Sequence, residues 1–315
     1  MREIGGYFGL EQFAGLEYHH DLVGVNSGRN ALLYILKARR YRKLYIPRFL
    51  CDSVSALCCR EGYEYEEYPI GEDFLPVFDR VLKSGEALYI VNFYGQISDE
   101  QMLLMKSRWG SIIFDNVQDF FRKPVAGVDT VYSCRKFFGV PDGGYAACDA
   151  PVLPLELDAS RDRMRHILGR LELSGSAFYG EFQKNDDRFF ELPLLKMSPV
   201  TRNILRGVDY DAVRNARNSN YAHLHAALGA YNGLQFTMPD GPYCYPFYCK
   251  NGMALKQKLA TEKIYVATLW PNVRVHEGAL EKDYAENILP LPCDQRYGES
   301  EMNRIVEEIL KCMKI

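Results

Sequence analysis

The chain has 315 residues, 47% hydrophobic and 25% charged, enough apolar material for one large domain or two unequal ones. A net charge of −3 argues against a polyanion partner such as nucleic acid, and no apolar run approaches a membrane span. Nine cysteines, scattered without CxxC pairs or zinc spacing, read as reduced thiols; with no signal-peptide pattern in MREIGGYFGLEQF, the expected location is cytoplasmic.

Gly5 to Leu10 is a glycine-punctuated stretch, expected to form an arm across the body of the fold. Leu22-Val23-Gly24-Val25 reads as a strand, and Asn26-Ser27-Gly28-Arg29-Asn30 turns it into a helix. The apolar residues 31, 32, 35 and 36 share one face of that helix, and Lys37, Arg39 and Arg40 lie near its end, where positive charge suits the dipole. Backbone N–H groups at such a helix start, with the Ser27 hydroxyl, can hold a phosphate. The alternative is that Asn26 or Ser27 only caps the helix. Residues 44–46 then read as a strand stopped by Pro47, 49–58 as a helix, 63–68 and 87–93 as strands, 99–109 as a helix, and 111–114 as a strand ending at Asp115. Strand 130–132 leads through Ser133 to Arg135 and Lys136; Phe137-Phe138 and a glycine-rich turn follow before strand 145–148. Strands alternating with helices, several of them continuous apolar runs, predict an α/β/α three-layer α/β fold with a mostly parallel sheet. Ligands of such sheets bind beyond the carboxyl ends of the strands, where Ser27, Asn92, Asp115 and Ser133 all fall.

Two of these residues carry chemistry. Lys136, backed by two aromatics, is expected to be desolvated towards the neutral, nucleophilic amine, or else it is ordinary surface charge. Asp115 either caps the next turn or pairs with a protonated pyridine nitrogen. A phosphate-type turn, then a strand-end aspartate, then a strand-end lysine is the order found in pyridoxal-phosphate enzymes of the aspartate-aminotransferase fold.

The motifs resemble, in order along most of the chain, those of the DegT/DnrJ/EryC1/StrS family. Asn26-Ser27-Gly28-Arg29-Asn30-Ala31-Leu32 resembles its SGT-x-AL phosphate segment, and Ile46-Pro47 with Cys51 its P-x-x-T segment. Asn92-Phe93-Tyr94-Gly95 resembles its H-x-x-G turn, Asp115-Asn116-Val117-Gln118 its D-x-A-Q, and Lys136 with Asp142-Gly143-Gly144 its cofactor-binding lysine and E-G-G. Leu289-Pro290-Leu291-Pro292 resembles its closing strand. There are departures. Arg29 replaces a threonine, though a guanidinium can also meet a phosphate. Cys51 stands where an aromatic usually stacks on the pyridine ring. Ser133 lies closer to the lysine than the family's serine, and Glu191 to Ser198 lacks the asparagine that a neighbouring subunit lends to the phosphate.

The resemblance implies a PLP-dependent aminotransferase with pyridoxal 5'-phosphate as cofactor. Lys136 and Asp115 would be catalytic, and Ser27, Gly28, Arg29, Asp115, Gln118, Ser133 and Lys136 cofactor-binding, Gln118 through the ring 3-hydroxyl or behind Asp115. Implied too are an amino-acid donor, with glutamate expected, a nucleotide-linked keto sugar as acceptor, and a homodimer. A degenerate or regulatory pyridoxal-phosphate binder of the same fold is the alternative.

Later residues read as helices at 161–173, 174–190 and 209–228, the last with Val213, Ala216, Tyr221 and Leu224 on one face. His223 and His225 read as surface or packing residues. Strand 243–248, helix 252–261, strand 264–266 and helix 300–313 follow, with Trp270-Pro271 either a substrate-facing loop or core. The expected division is a large cofactor-binding domain over 20–205 and a small α+β domain over 206–315 that includes the arm, 1–19.

Overall fold

The computed structural model describes residues 4–151, 153–275 and 279–313; the remaining residues of the expected arm and of both expected domains lie outside it. The first half of the chain alternates: β1 (Val23–Val25), α1 (Gly28–Arg39), β2 (Lys43–Pro47), α2 (Asp52–Glu61), β3 (Glu64–Tyr68) and β4 (Glu86–Val91). It continues with α3 (Asp99–Trp109), β5 (Ile112–Asp115), β6 (Asp129–Ser133) and β7 (Gly144–Ala147). These strands form one sheet in the order β1-β7-β6-β5-β4-β2-β3. The run from β3 to β6 is parallel, and β7 is antiparallel to both β6 and β1.

The central strands are apolar because both faces are covered. Every residue of β4 after Glu86 is buried, as is all of β5. Helix α1 buries Ala31 to Leu36 against one side of the sheet. The Met102 and Met105 side chains of α3 join Leu88, Ile90 and Ile112 in a separate cluster. Each fully buried aliphatic side chain contributes about 1.5–3 kcal/mol of hydrophobic stabilisation. Helix α3 begins with a capping box in which Ser98 and Gln101 satisfy each other's backbone N–H groups.

After β7 come α4 (Arg165–Glu172), α5 (Tyr179–Arg188), α6 (Pro199–Arg206) and the long α7 (Tyr210–Leu228). The chain closes with β8 (Tyr245–Tyr248), α8 (Gly252–Thr261), α9 (Ala279–Asn287), β9 (Ile288–Leu291) and α10 (Glu299–Met313). Strands β8 and β9 pair antiparallel, with Tyr245 opposite Leu291. Tyr221 and Leu224 of α7, Leu255 and Leu259 of α8, and Met302, Ile305 and Ile309 of α10 pack with Phe247 and Leu289 into a second core.

Four readings of the sequence change. Residues 264–266 form no strand: Ile264 and Val266 are buried and Tyr265 is exposed, so the alternation is real but no ladder partner is present among the described residues. Helix α2 begins at Asp52, and Phe49 is instead a core residue whose ring lies 4.3 Å from that of Trp270, tilted by 54°. Trp270 is therefore core packing, 6% exposed. Helix α6 went unread, although Ser198 caps it and Pro199 sits at its first position.

The described residues of the arm have no regular structure. Glu11 and Phe13 bond Asn203 of α6, while Ile4, Tyr7 and Phe8 are almost fully exposed. Its far end is pinned by His19, whose buried ring donates to the Phe120 carbonyl at 2.7 Å.

Candidate active site

The carboxyl ends of β4, β5 and β6 place the expected residues on one edge. Asp115, the last residue of β5, is 4% exposed. Its Oδ1 accepts the Val117 N–H at 2.8 Å and its Oδ2 accepts the Tyr89 hydroxyl at 2.6 Å. Tyr89 pairs with Ile113 and Val91 with Asp115 in the parallel ladder, so Tyr89 and Asp115 project from the same face of neighbouring strands. Burial pushes the Asp115 carboxyl above the usual carboxylate range, and the Lys136 charge, the Tyr89 hydroxyl and the Val117 amide pull it back. Burial also drives the Tyr89 phenol far upward, so it stays a neutral donor.

The turn beyond β4 is a structural frame. Asn92 donates to Asn116 at 3.1 Å and Asp119 at 3.0 Å and accepts the Ile97 N–H, leaving it committed to holding the turn. Gln118 spends its carbonyl on the Tyr94 N–H at 2.8 Å and makes no bond to Asp115. It steadies the strained Tyr94 backbone, whose φ is 56°, and its amide N–H groups bond no described residue.

At the start of α1 the geometry suits an anion. Ser27 is the N-cap: its Oγ accepts the Asn30 N–H at 3.1 Å, which leaves the hydroxyl proton available. Val25 and Ser133 both pair with Gly144, so the Ser27 turn and Ser133 lie side by side. A Cβ on Gly28 would stand 3.2 Å from that of Ser133, and one on Gly144 would meet the Ser27 backbone at 2.5 Å. The approach at 144 requires glycine, and a side chain at 28 would be tight. The Ser133 hydroxyl bonds no other described residue. Arg29 lies with its guanidinium 4.3 Å over the Phe190 ring, and its Nη1 is buried without a partner. Burial lowers its pKa, with Cys51 and Asp186 opposing. A buried, unpaired guanidinium nitrogen costs free energy that an anion would recover. Cys51 is half-buried, its Sγ 2.8 Å from the Ser53 hydroxyl.

Lys136 departs from expectation. The side chain is exposed, with Nζ 5.8 Å from the Tyr243 ring. Phe137 and Phe138 do not dry its amine; they turn inward and pack against Phe120 with ring centroids 5.5 and 5.0 Å away. They anchor the turn instead. Arg135 is held away by Asp186 at 2.9 Å. The Phe137 carbonyl, one residue past the lysine, accepts from Gln295 at 2.8 Å and Arg217 at 3.3 Å. Arg217 is 1% exposed and also donates to Gln295 and the Pro242 carbonyl at 2.8 Å each. Downstream, fully buried Asp142 accepts from Ser198 and Thr201 of the α6 start, which ties the glycine turn to that helix.

A cavity of about 690 Å³ opens beside Lys136. Its lining carries five cationic side chains, Arg135, Lys136, Arg170, Arg217 and Arg296, against the single carboxylate of Asp294. Asp294 is itself paired with Arg296 at 2.6 and 2.8 Å. Asp115, Ser27 and Ser133 do not line this space; Lys136 does, and its charge also reaches Asp115.

The sequence did not point to Tyr89, Arg217 or Gln295. Tyr89 left one trace, a phenol inside an apolar strand, where a buried hydroxyl needs a partner.

No protein-family model matches the chain, and no curated protein matches it. Solved structures do share its fold. DesV of S. venezuelae is 21% identical, with a TM-score of 0.62 and coverage of 92% of this chain and 84% of that one. A DegT DnrJ EryC1 StrS aminotransferase of Brucella abortus is 15% identical, with a TM-score of 0.62 over 92% and 85% of the two chains. NtdA of Bacillus subtilis, solved with bound PMP, is 12% identical, with a TM-score of 0.67 over 93% and 73%. The fold is that of these aminotransferases. No helix among the described residues is long and apolar enough to cross a membrane.

Proposed function

We propose that the protein is a cytoplasmic, homodimeric aminotransferase that uses pyridoxal phosphate to move an amino group from an amino acid, expected to be glutamate, to a nucleotide-linked keto sugar. The observation that carries this reading is the convergence of Asp115, Lys136 and an anion cradle, Ser27-Gly28-Arg29 with Ser133, at the carboxyl edge of one sheet. The residues fit the cofactor. Gly28 leaves open the space a side chain would fill beside Ser133, Arg29 carries a buried guanidinium nitrogen with no partner, and Asp115 offers a buried carboxylate.

Bound there, pyridoxal phosphate supplies an aldehyde that condenses with amines and a ring that withdraws electrons from the carbon losing its proton. The backbone N–H groups of Gly28 and Arg29, the hydroxyls of Ser27 and Ser133 and the Arg29 guanidinium would hold its phosphate at the α1 N-terminus. Asp115 would accept the ring N–H, and its negative charge keeps that nitrogen protonated. Gln118 has amide N–H groups left to donate to the ring 3-hydroxyl. Lys136 would carry the cofactor through its amine and, once displaced by the donor, take up and return a proton at Nζ. The cationic cavity beside Lys136 suits anionic donors and acceptors.

The test is an absorbance spectrum of the protein with pyridoxal phosphate before and after glutamate. A cofactor band that glutamate bleaches supports the aminotransferase. A band that persists with every amino acid tried supports a binder without transfer activity, and no band contradicts both.

A further inference from the structure

We propose that Tyr89 is a positioning residue that holds Asp115 as an ionised carboxylate aimed at the cofactor ring; this rests on the reading of Asp115 above. The hydroxyl reaches Asp115 Oδ2 at 2.6 Å, in the range of a charge-assisted bond from a hydroxyl to a carboxylate. Both groups are nearly inaccessible, at 3% and 4% exposure, so no solvent competes for either. The Tyr89 strand is fixed in turn, because its main-chain carbonyl accepts the Tyr68 hydroxyl at 2.7 Å.

The inventory of groups around Asp115 makes the case. Burial disfavours its charge, and three groups oppose that: the Lys136 ammonium, the Tyr89 hydroxyl and the Val117 amide. Cys51 also lies near enough to act on Tyr89. The amide belongs to the backbone of the Asp115 turn. The ammonium belongs to an exposed, mobile-stemmed side chain whose reaction changes its charge. Tyr89 is thus the side chain that favours the ionised carboxylate at every stage, and it can play this part only as a donor. The hydroxyl leaves a lone pair on each carboxylate oxygen for a ring N–H. The phenol also fixes the plane of the carboxylate, since one oxygen is held from β4 by Tyr89 and the other from the turn after β5 by the Val117 amide.

The test combines Tyr89→Phe, Asp115→Asn and the double variant, with pyridoxal phosphate affinity measured by absorbance titration from pH 6 to 9. Phenylalanine keeps the ring and removes only the donor. Loss of a hydrogen bond to a charged group predicts affinity weaker by roughly 10-fold for Tyr89→Phe, with its dependence on pH shifted upward. In the Asp115→Asn background the same change should have little effect, because the charge it serves is gone. Thermal unfolding of each variant without cofactor is the control for fold. Three results overturn the proposal: Tyr89→Phe binding with unchanged affinity and pH profile, equal losses in both backgrounds, or a loss that tracks thermal stability alone. Wild-type protein that binds no pyridoxal phosphate would remove the functional reading and this proposal with it. Tight wild-type binding with an indifferent Tyr89→Phe removes this proposal only.

Discussion

At the scale of single residues, Asp115 shows how function is set against stability. Its folded pKa lies above the unfolded value because burial outweighs its partners. A carboxyl raised in this way favours the folded state most when protonated, and that contribution is lost as pH rises through the folded pKa. Wild type should therefore gain stability relative to Asp115→Asn as pH falls from 7 towards 4. Thermal melts of the two proteins without cofactor over that range check the sign; a gap that stays constant with pH contradicts it. With cofactor and substrates, Asp115→Asn should fold and bind but lose most amino transfer, because an amide cannot keep the ring nitrogen protonated. His19 titrates in the opposite sense. Burial lowers its pKa to about 4, so its contribution is complete above about pH 6.5 and is lost as pH falls towards 4. His19→Gln should flatten acid unfolding in that window, at most by about 3 kcal/mol; an unchanged acid limb would show that the ring is not the trigger.

At the scale of elements, the lysine turn is held from outside its own sheet. Arg217 projects from α7 across the seam between that helix and the lysine turn, bonding the Phe137 and Pro242 carbonyls, 4.5 Å over the Phe137 ring and with no described carboxylate hydrogen-bonded to it. Arg217→Met should cost a few kcal/mol, because it strips the Phe137 and Pro242 carbonyls of a charged donor. Hydrogen exchange should rise first at residues 134–139; protection unchanged there would mean that Gln295 and the aromatic core suffice. This seam also explains what the sequence concealed. The buried stripe of α7 is Arg217, Asn220, Tyr221, Leu224 and Leu228, and its first two members are polar because they satisfy loop carbonyls. Apolar periodicity found the helix through Val213, Ala216, Tyr221 and Leu224 and passed over Arg217 and Asn220, the buried polar residues on it. The central strands of the large sheet were legible because continuous burial writes a continuous apolar run. Residues 264–266 look the same in sequence, and only the absence of a neighbouring strand among the described residues separates them. Lys136 was identifiable by its order after Asp115, whereas its exposure was not, since two following phenylalanines can pack either towards the amine or away from it.

At the scale of the whole molecule, the proposed homodimer would cover groups that a single chain leaves exposed or without partners. Arg29 has a bare nitrogen, Lys136 is exposed, and the arm presents Tyr7 and Phe8 at 97% and 98% exposure. Sedimentation should show a dimer that survives dilution; a monomer that binds the cofactor tightly would contradict that assembly. The central claim is that Asp115, the Ser27 turn and Lys136 form one cofactor site. Borohydride reduction of the protein with pyridoxal phosphate, followed by peptide mass spectrometry, tests it most directly. The account predicts a reduced phosphopyridoxyl group on Lys136, absent from Lys136→Ala, which should still bind the cofactor weakly through its phosphate contacts. An adduct on any other lysine, in place of Lys136, would contradict the site.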